Sequence, residues 1–173
     1  MPWEPFQPAR VLSKLSATAQ PPLSRVIQIV AMTEDAVVPG GMRILLVHGD
    51  PEPELTRTLA RGGHHVLAVA DGDRPARFLG AFNPELVLVV GADTAEICHD
   101  VRRQARDVAI IAIVPSRNVD LIVAALEAGA DDCLGRPFHR AELAARVIAA
   151  RRRGAVAAEK SALADGPTLD GAA

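Results

Sequence analysis

Aromatic side chains and cysteines are both scarce in this chain of 173 residues. Aromatics make up 3% of it and tyrosine is absent, yet the apolar fraction is 49%. Ala, Val, Leu and Ile supply most of that fraction, which is typical of a sheet covered by alanine-rich helices. The two cysteines, Cys98 and Cys133, match no metal-ligand spacing, and we interpret them as reduced thiols. The composition predicts one soluble α/β domain of ordinary size.

Long apolar runs are absent as well. The runs at residues 44–47 and 86–90 are far shorter than the roughly 18 to 20 residues that a membrane helix needs. The amino end carries acids and prolines in place of the basic start and apolar stretch of a signal peptide. We therefore predict a cytoplasmic protein that makes no membrane contact.

The chain also lacks a large excess of either charge, since 19 basic and 21 acidic residues leave a net charge of −2. No global field would attract nucleic acid, so we predict no direct nucleic-acid binding. The basic run at residues 151–153 is local, and we interpret it as charge that complements the carboxyl end of a helix.

A regular alternation of strands and helices begins at Met42. Short β-branched runs predict strands, and amphipathic alanine-rich stretches between them predict helices. Five such pairs favour a flavodoxin-like, doubly wound, five-stranded parallel sheet with helices on both faces. The functional crevice of such a sheet lies at the carboxyl ends of its strands. The predicted strands are 43–47, 65–69, 86–90, 108–114 and 132–135, and the predicted helices are 51–61, 74–81, 94–104, 118–128 and 139–153.

The flanks of this pattern are expected to be irregular. Residues 1–41 contain six prolines and one apolar patch at residues 26–32, which favours a flexible leader over a docked short strand or helix. Translation could also start downstream of Met1, because Met32 and Met42 precede the first clear strand. Residues 154–173 lack apolar periodicity and are expected to form a disordered tail or a truncated linker.

Three segments of residues 42–153 resemble receiver domains of response regulators, the CheY-like family. They are Ile44–Val47 with Asp50-Pro51-Glu52 after it, the Asn83-Pro84-Glu85-Leu86-Val87 stretch, and the run from Leu126 to Phe138. That run includes Ala128-Gly129-Ala130-Asp131-Asp132 and Arg136-Pro137-Phe138, and its style is similar to receivers of winged-helix, OmpR-type regulators. The resemblance implies a role in two-component, phosphorelay signal transduction.

The resemblance also shows that the phosphorylation crevice is degenerate. The position of the family's acceptor aspartate carries Val90, which has no nucleophilic atom. The acidic pair that helps to bind Mg²⁺ is replaced by His48 and Gly49, so that only Asp50 remains. We interpret Asp93, three residues beyond Val90, as a helix cap or turn acid and not as a substitute acceptor.

The switch residues of the family are altered as well. Val114 stands in place of the hydroxyl residue, Cys133 in place of the aromatic residue, and Arg136 in place of the lysine. Arg136 could pair with Asp50 across the crevice, bind an anionic ligand, or remain unpaired. For His48 and Asp50, a hydrogen-bonded loop pair is favoured over a transition-metal site.

The surface made by the fourth helix, fifth strand and fifth helix keeps the charges through which winged-helix-type receivers dimerise. The resemblance implies that acids near Asp131 and Asp132 cross to arginines such as Arg146 of a second protomer. Glu127 and Arg140 could join this network or remain solvated. A homodimer through this surface is the expected assembly.

Together these features predict a pseudo-receiver that acts as a phosphorylation-independent protein-interaction or dimerisation module. We expect a protein partner from a signalling pathway and no catalytic residue, metal or cofactor, and hence no enzymatic activity. Two alternatives remain. One is a ligand-gated sensor, and the other is a fragment of a transcription regulator without its winged-helix DNA-binding domain. An enzyme of flavodoxin-like fold is disfavoured because no phosphate-binding glycine loop or nucleophile–base pair is recognisable.

Overall fold

The computed structural model describes residues 28–30 and 41–164. Within these residues a six-stranded sheet has the order β1-β3-β2-β4-β5-β6. Strands β2 to β6 pair in parallel, and β1 pairs antiparallel with β3 at one edge. The strands are β1 Gln28–Val30, β2 Arg43–His48, β3 His65–Ala70, β4 Leu86–Val90, β5 Ala109–Val114 and β6 Asp132–Gly135.

Five α-helices connect or follow these strands: α1 Pro53–Arg61, α2 Ala76–Phe82, α3 Thr94–Gln104, α4 Val119–Glu127 and α5 Arg140–Ala164. A 3₁₀ turn, Asp71–Asp73, lies between β3 and α2. Leu55 of α1 and Leu143 of α5 pack in the core on one face of the sheet. Phe78 of α2, Cys98 of α3 and Ala125 of α4 pack in the core on the other face. The prediction of a flavodoxin-like, doubly wound parallel sheet is confirmed.

Strand β4 explains why two cores form. It lies between β2 and β5, and all five of its residues are buried. Its side chains alternate between the cores, with Leu86 and Leu88 in the α1/α5 core and Val87 in the other. An uninterrupted apolar run is what a parallel strand covered on both faces requires.

Both flanks differ from expectation. The Gln28–Val30 segment forms β1, the alternative to a flexible leader, and the rest of 1–40 lies outside the described residues. Helix α5 was expected to end at Arg153 but continues to Ala164, so the prediction of an irregular tail is wrong for residues 154–164. Five of these eleven residues are alanine, which has the highest helix propensity and offsets the cost of Gly154. Residues 165–173 lie outside the described part of the chain.

Among the residues that the structure describes, no helix is both long enough and apolar enough to cross a bilayer.

The turn between α1 and β3 contains a partly buried hydrogen bond to a histidine. The backbone N–H of Met42 donates a hydrogen bond to Nδ1 of His64 over 3.2 Å. Burial lowers the pKa of His64 from its ordinary value of 6.5, and the positive charge of Arg151 lowers it further. An acceptor Nδ1 requires the neutral imidazole, so the folded state disfavours protonation.

We therefore expect the free energy of unfolding to decrease as the pH falls below about 6.5, the unfolded-state pKa of His64. Because the folded-state pKa is the lower of the two, the unfolded state binds more protons in this window, with a slope of up to about 1.4 kcal/mol per pH unit. Urea denaturation at a series of pH values from about 7.5 to about 5 would measure this decrease in the free energy of unfolding. His64→Gln should flatten this part of the curve, whereas the exposed His99→Gln should leave it unchanged. Equal slopes in wild type and His64→Gln would contradict the assignment.

Candidate functional site

The crevice lies where β2, β4 and β5 end. His48, the last residue of β2, is in register with Val90, the last residue of β4. Its side chain is 7% exposed, and its Nδ1 atom is buried without a hydrogen-bond partner in the described part of the chain. Nδ1 therefore makes no hydrogen bond to Asp50, and the expected loop pair does not form through this atom. The floor of the crevice is an imidazole beside a valine.

Gly49 and Asp50 form the rim above this floor, and both are exposed. A Cβ placed on Gly49 would lie 3.0 Å from Oδ2 of Asp71, so a larger residue there would require Asp71 to move. Asp71 is held in turn by its own loop, because its Oδ1 accepts a hydrogen bond from the N–H of Gly72 at 2.6 Å. Position 49 is thus spatially restricted as well as lacking a ligand atom.

The residues present do not fit Mg²⁺, the ion that the fold family implies. Mg²⁺ binds oxygen atoms in near-octahedral geometry. The positions that would supply them hold the imidazole of His48, no side chain at Gly49, the exposed carboxylate of Asp50 and the isopropyl group of Val90. More generally, the described residues contain no cluster of three or more His, Cys, Asp and Glu side chains arranged to hold a metal ion.

The loop after β5 is packed tightly over the end of β6. Val114 is fully buried, and the hydroxyl-bearing Ser116 is exposed beyond it. A Cβ on Gly135 would come within 2.9 Å of the carbonyl oxygen of Ser116 and the Cα of Arg117, so this close approach requires glycine. The guanidinium of Arg117 also donates a hydrogen bond to the carbonyl of Pro137 at 3.1 Å. These contacts fix the loop against the β6–α5 connection.

Arg136 pairs with Glu52 and not with Asp50. Its Nη2 lies 2.6 Å from Oε1 of Glu52, the residue before α1, and its guanidinium lies 5.5 Å from the ring centre of Phe138. Of the possibilities left open for Arg136, a pair with Asp50 does not form, because Asp50 lies exposed on the rim, whereas Glu52 is half-buried at the helix start. Arg136 is nevertheless paired with a carboxylate, that of Glu52. The Arg136–Pro137 peptide bond is cis.

The predicted interface charges form ion pairs within one chain. Nη1 of Arg146 lies 2.6 and 2.8 Å from the two carboxylate oxygens of Asp132, and its Nη2 lies 3.0 Å from Glu142. These hydrogen bonds raise the pKa of Arg146. Arg140 lies 3.6 Å from Glu54 of α1, and Glu127 is exposed. The structure thus joins Asp132 to Arg146 within one chain, and the crossing between protomers stays a prediction.

Asp131 belongs to a different network, centred on Arg102, which sequence reasoning missed. Arg102 of α3 donates hydrogen bonds to the carbonyl of Gly129 and to Oδ2 of Asp131, both at 2.9 Å from its Nη2. Its Nη1 bonds the carbonyls of Arg106 at 2.5 Å and Val108 at 2.8 Å. One guanidinium therefore joins the ends of α3 and α4 to the start of β5. No local motif marks Arg102, because its partners are up to 29 residues away.

The structure also reveals an apolar surface that the charge pattern did not predict. Val119, Val123 and Leu126 of α4 are 68%, 43% and 42% exposed, and Ile148 of α5 is 42% exposed. The spacing of four and three residues places the α4 side chains on one face of that helix. Helices α4 and α5 lie on opposite faces of the sheet, and the edge strand β6 connects them in the chain. These four residues are together called the α4/α5 apolar surface below.

The remaining predicted site residues have no evident chemistry of their own. Burial, followed by the charge of Asp132, raises the pKa of the half-buried Cys133 thiol, and burial raises that of Cys98 to about 12. Both thiols are therefore protonated and poorly nucleophilic at neutral pH. Asp93 is exposed at the N-cap position of α3 and makes no side-chain cap hydrogen bond.

No protein-family model matches the chain. It is 36% identical over 124 residues to the transcriptional regulatory protein TcrA of Mycobacterium tuberculosis, a match that covers 67% of this chain and 48% of TcrA. It is 34% identical over 118 residues to the response regulator MprA of Mycobacterium avium, covering 65% of this chain and 52% of MprA. The chain thus spans about half the length of the curated relatives it matches.

A solved structure supports the same relationship. The receiver domain of the sensor histidine kinase PA1611 of Pseudomonas aeruginosa, with a magnesium ion in its active-site cleft, matches with a TM-score of 0.57 and 29% identity. The match covers 66% of this chain and 98% of that domain. The chain described here is a response-regulator receiver domain. It belongs to the receiver domains of two-component systems.

Membership of the family gives the altered residues their meaning. This receiver domain keeps the order of the five parallel strands. It also keeps a basic side chain, Arg136, where the resemblance places the lysine of the family. It has Val90, His48 and Gly49 where the resemblance places the acceptor and two cation ligands. The crevice of this receiver domain is therefore preserved in position and altered in chemistry.

Removing the Arg136–Glu52 pair should measure how much the pair contributes to the free energy of unfolding of the domain. A double-mutant cycle with Arg136→Gln and Glu52→Gln is expected to give a coupling energy of about 1 kcal/mol, because the pair is only partly exposed. The same cycle on the exposed Arg57–Glu54 pair should give about 0.3 kcal/mol and serves as the matched control. Urea denaturation gives the four free energies in each cycle. A coupling no larger than that of the control would show that the pair does not stabilise the crevice.

Proposed function

We propose that this receiver domain does not accept a phosphoryl group and acts as a phosphorylation-independent interaction module of a two-component pathway. The observation that carries the proposal is Val90, the last residue of β4, at the acceptor position. Phosphoryl transfer to a receiver needs a carboxylate nucleophile there. A buried isopropyl group offers neither a lone pair nor a charge.

The second argument for a pseudo-receiver is electrostatic. A phosphorylated carboxylate carries dense negative charge, which receivers neutralise with a divalent cation and a free basic side chain. The oxygen ligands for the cation are missing at positions 48 and 49, and the charge of Arg136 is already balanced by Glu52. A phosphoryl group in this crevice would have little positive charge to stabilise it.

The same argument weighs against a ligand-gated crevice, the first alternative. An anionic ligand would have to displace Glu52 from Arg136, and the apolar floor at Val90 offers it no hydrogen bond. Burial of His48 leaves one unpartnered nitrogen, which is too little to define a ligand class. The interaction module is therefore the better-supported function, and its cytoplasmic location stays a prediction.

Homodimerisation through α4, β6 and α5 is the proposed mode of action. The α4/α5 apolar surface exposes three side chains on one face of α4, and such a surface favours association in water. The adjoining Asp132–Arg146 pair is satisfied within the chain, so a contact here need not bury an unpaired charge. A two-fold contact would use the apolar surface of both protomers.

A second candidate function is regulation of transcription. TcrA is named a transcriptional regulatory protein, and this chain matches about half of its length. The receiver domain would then work together with a DNA-binding domain, and dimerisation through α4 would set the spacing of two such domains on DNA.

Incubation with acetyl phosphate and Mg²⁺ tests the loss of phosphorylation. Intact-mass measurement of the wild-type chain should show no gain of a phosphoryl group, because no carboxylate occupies position 90. Val90→Asp alone should also remain unmodified, because positions 48 and 49 still lack the cation ligands. A receiver with an intact acceptor, treated in parallel, is the positive control. Modification of the wild type would overturn the proposal, and modification of Val90→Asp would show that the missing ligands do not matter.

Val123→Glu tests the dimer surface. A charge in the middle of the α4/α5 apolar surface would be desolvated in the dimer, so the dimer Kd should rise at least about tenfold. Sedimentation velocity over a concentration series measures this change. Gln104→Glu, an exposed substitution of equal charge on α3, should leave the Kd unchanged. A wild type that stays monomeric, or an equal Kd in wild type and Val123→Glu, would contradict dimerisation through this surface.

A further inference from the structure

Positive charge collects at the edge of the sheet that lies opposite the crevice. Strands β2 to β6 are parallel, so the helices that connect them run back and end where the next strand begins. Helix α5 follows β6 and runs back in the same direction. Six arginines with exposed side chains lie along this edge, which is called the basic edge below: Arg61, Arg103, Arg106, Arg151, Arg152 and Arg153.

Few carboxylates offset the charge of the basic edge. Glu85 lies 3.6 Å from the guanidinium of Arg43, and Asp131 lies 2.9 Å from that of Arg102, so each of these acids already has an arginine partner. In the described part of the chain, the other exposed acids in the last helical turns and strand-leading loops of this edge are Asp107 and Glu127. The net charge of −2 for the whole chain therefore conceals a local excess of positive charge.

The run Arg151–Arg153 is not explained by the end of a helix. The effect of a helix dipole is confined to the last turn, and α5 continues beyond Arg153 to Ala164. The interpretation of the run as charge that complements a helix end is therefore wrong. The run lies where α5 leaves the domain, because Ala150 is fully buried and residues 151–154 are exposed. A Cβ added to Gly154 would meet no atom outside its own helix within 4 Å.

Two observations place the run beside other arginines of the basic edge. Arg106 and Arg151 line one cavity of about 780 Å³ together with Val108. Burial, and after it the charge of Arg151, lowers the pKa of His64, which lies in the turn that follows Arg61. The start of the run is therefore close both to the loop before β5 and to the turn after α1. Its charges add to those of two neighbouring elements.

The arrangement of the run favours nucleic acid over a membrane surface. Successive residues of an α-helix point about 100° apart, so three consecutive arginines cover about 200° of the helix circumference. The major groove of B-DNA is about 12 Å wide, admits an α-helix and presents phosphates on both sides of it. A helix that lies on a membrane needs large apolar side chains opposite its basic ones. Residues 151–162 contain one large apolar residue, Val156.

We propose that the basic edge binds the phosphates of double-stranded DNA, with the exposed part of α5 at Arg152 and Arg153 lying in the major groove. The contact is to the backbone and carries no base specificity. It goes beyond the proposed function, since it uses neither the α4/α5 apolar surface nor a separate DNA-binding domain. It also departs from the expectation, drawn from the net charge, of no direct nucleic-acid binding.

Fluorescence anisotropy of a labelled duplex of about 20 base pairs, titrated with the full chain over a salt series, tests the proposal. Each phosphate contact contributes about −0.9 to the slope of the logarithm of the association constant against that of the salt concentration. Arg152→Gln/Arg153→Gln should therefore make the slope shallower by about 1.8 and raise the Kd at least about tenfold at low salt. Arg152→Lys/Arg153→Lys should stay within about threefold of the wild-type Kd, because it keeps the charge.

A matched control removes the same charge from the crevice end. Arg74, after the Asp71–Asp73 turn, and Arg140, the first residue of α5, are both exposed. Arg74→Gln/Arg140→Gln should leave the Kd within about twofold of the wild type and the slope unchanged. Urea denaturation should give the same free energy of unfolding for wild type and Arg152→Gln/Arg153→Gln, since both side chains are exposed.

Four results would overturn the proposal. They are a wild type that does not bind the duplex in a salt-dependent way, an equal slope in wild type and Arg152→Gln/Arg153→Gln, an equal loss in the control, and an equal loss in the lysine variant. Co-sedimentation with phosphatidylcholine vesicles that contain about 30% phosphatidylserine distinguishes the two kinds of polyanion. We expect the vesicles to retain less of the chain than the duplex does at the same salt concentration. Tighter binding to the vesicles would assign the basic edge to an anionic membrane and would also overturn the proposal.

Discussion

The burial of β4 on both faces is the constraint on which the rest of the structure depends. Each of its residues packs into one of the two cores, and its neighbours β2 and β5 are in register with it to the last residue. The apolar character of the strand therefore continues to Val90, at the floor of the crevice. A carboxylate at that position would pay the cost of desolvation unless a cation compensated its charge. The apolar Val90 and the absence of oxygen ligands at His48 and Gly49 are thus physically coherent, because a floor without a carboxylate has no charge for a cation to compensate.

Two arginines hold the loops around the crevice, and each is already neutralised or hydrogen-bonded within the chain. Arg136 pairs with Glu52, and Arg117 donates to the carbonyl of Pro137. A planar guanidinium with five donors can satisfy several carbonyls and carboxylates at once. The positive charge near the crevice therefore has a structural use, and little of it is left for a phosphoryl group.

The sequence was sufficient to predict the fold but not the partners of its charged side chains. Periodicity and the segment from Leu126 to Phe138 predicted the five parallel strands and their helices, because both signals are local. For Arg136 the sequence left a pair with Asp50, an anionic ligand or no partner open, and it did not suggest Glu52, because that pairing depends on how the loop before α1 turns. Asp132 and Arg146 were expected to pair across a dimer and are found to pair within the chain, because a sequence cannot distinguish the two arrangements.

That last distinction changes how the α4 side of the domain can associate. Had Asp132 and Arg146 been unpaired in the monomer, forming a dimer would have gained their ion pairs, and the contact would have been sensitive to salt. Since Arg146 already binds both oxygens of Asp132, a second protomer gains little from these charges. In the proposed dimer the attraction must then come from apolar area, of which Val119 and Val123 expose the most on α4. Association through this surface should consequently weaken on cooling and resist added salt, as expected for contacts stabilised by the hydrophobic effect.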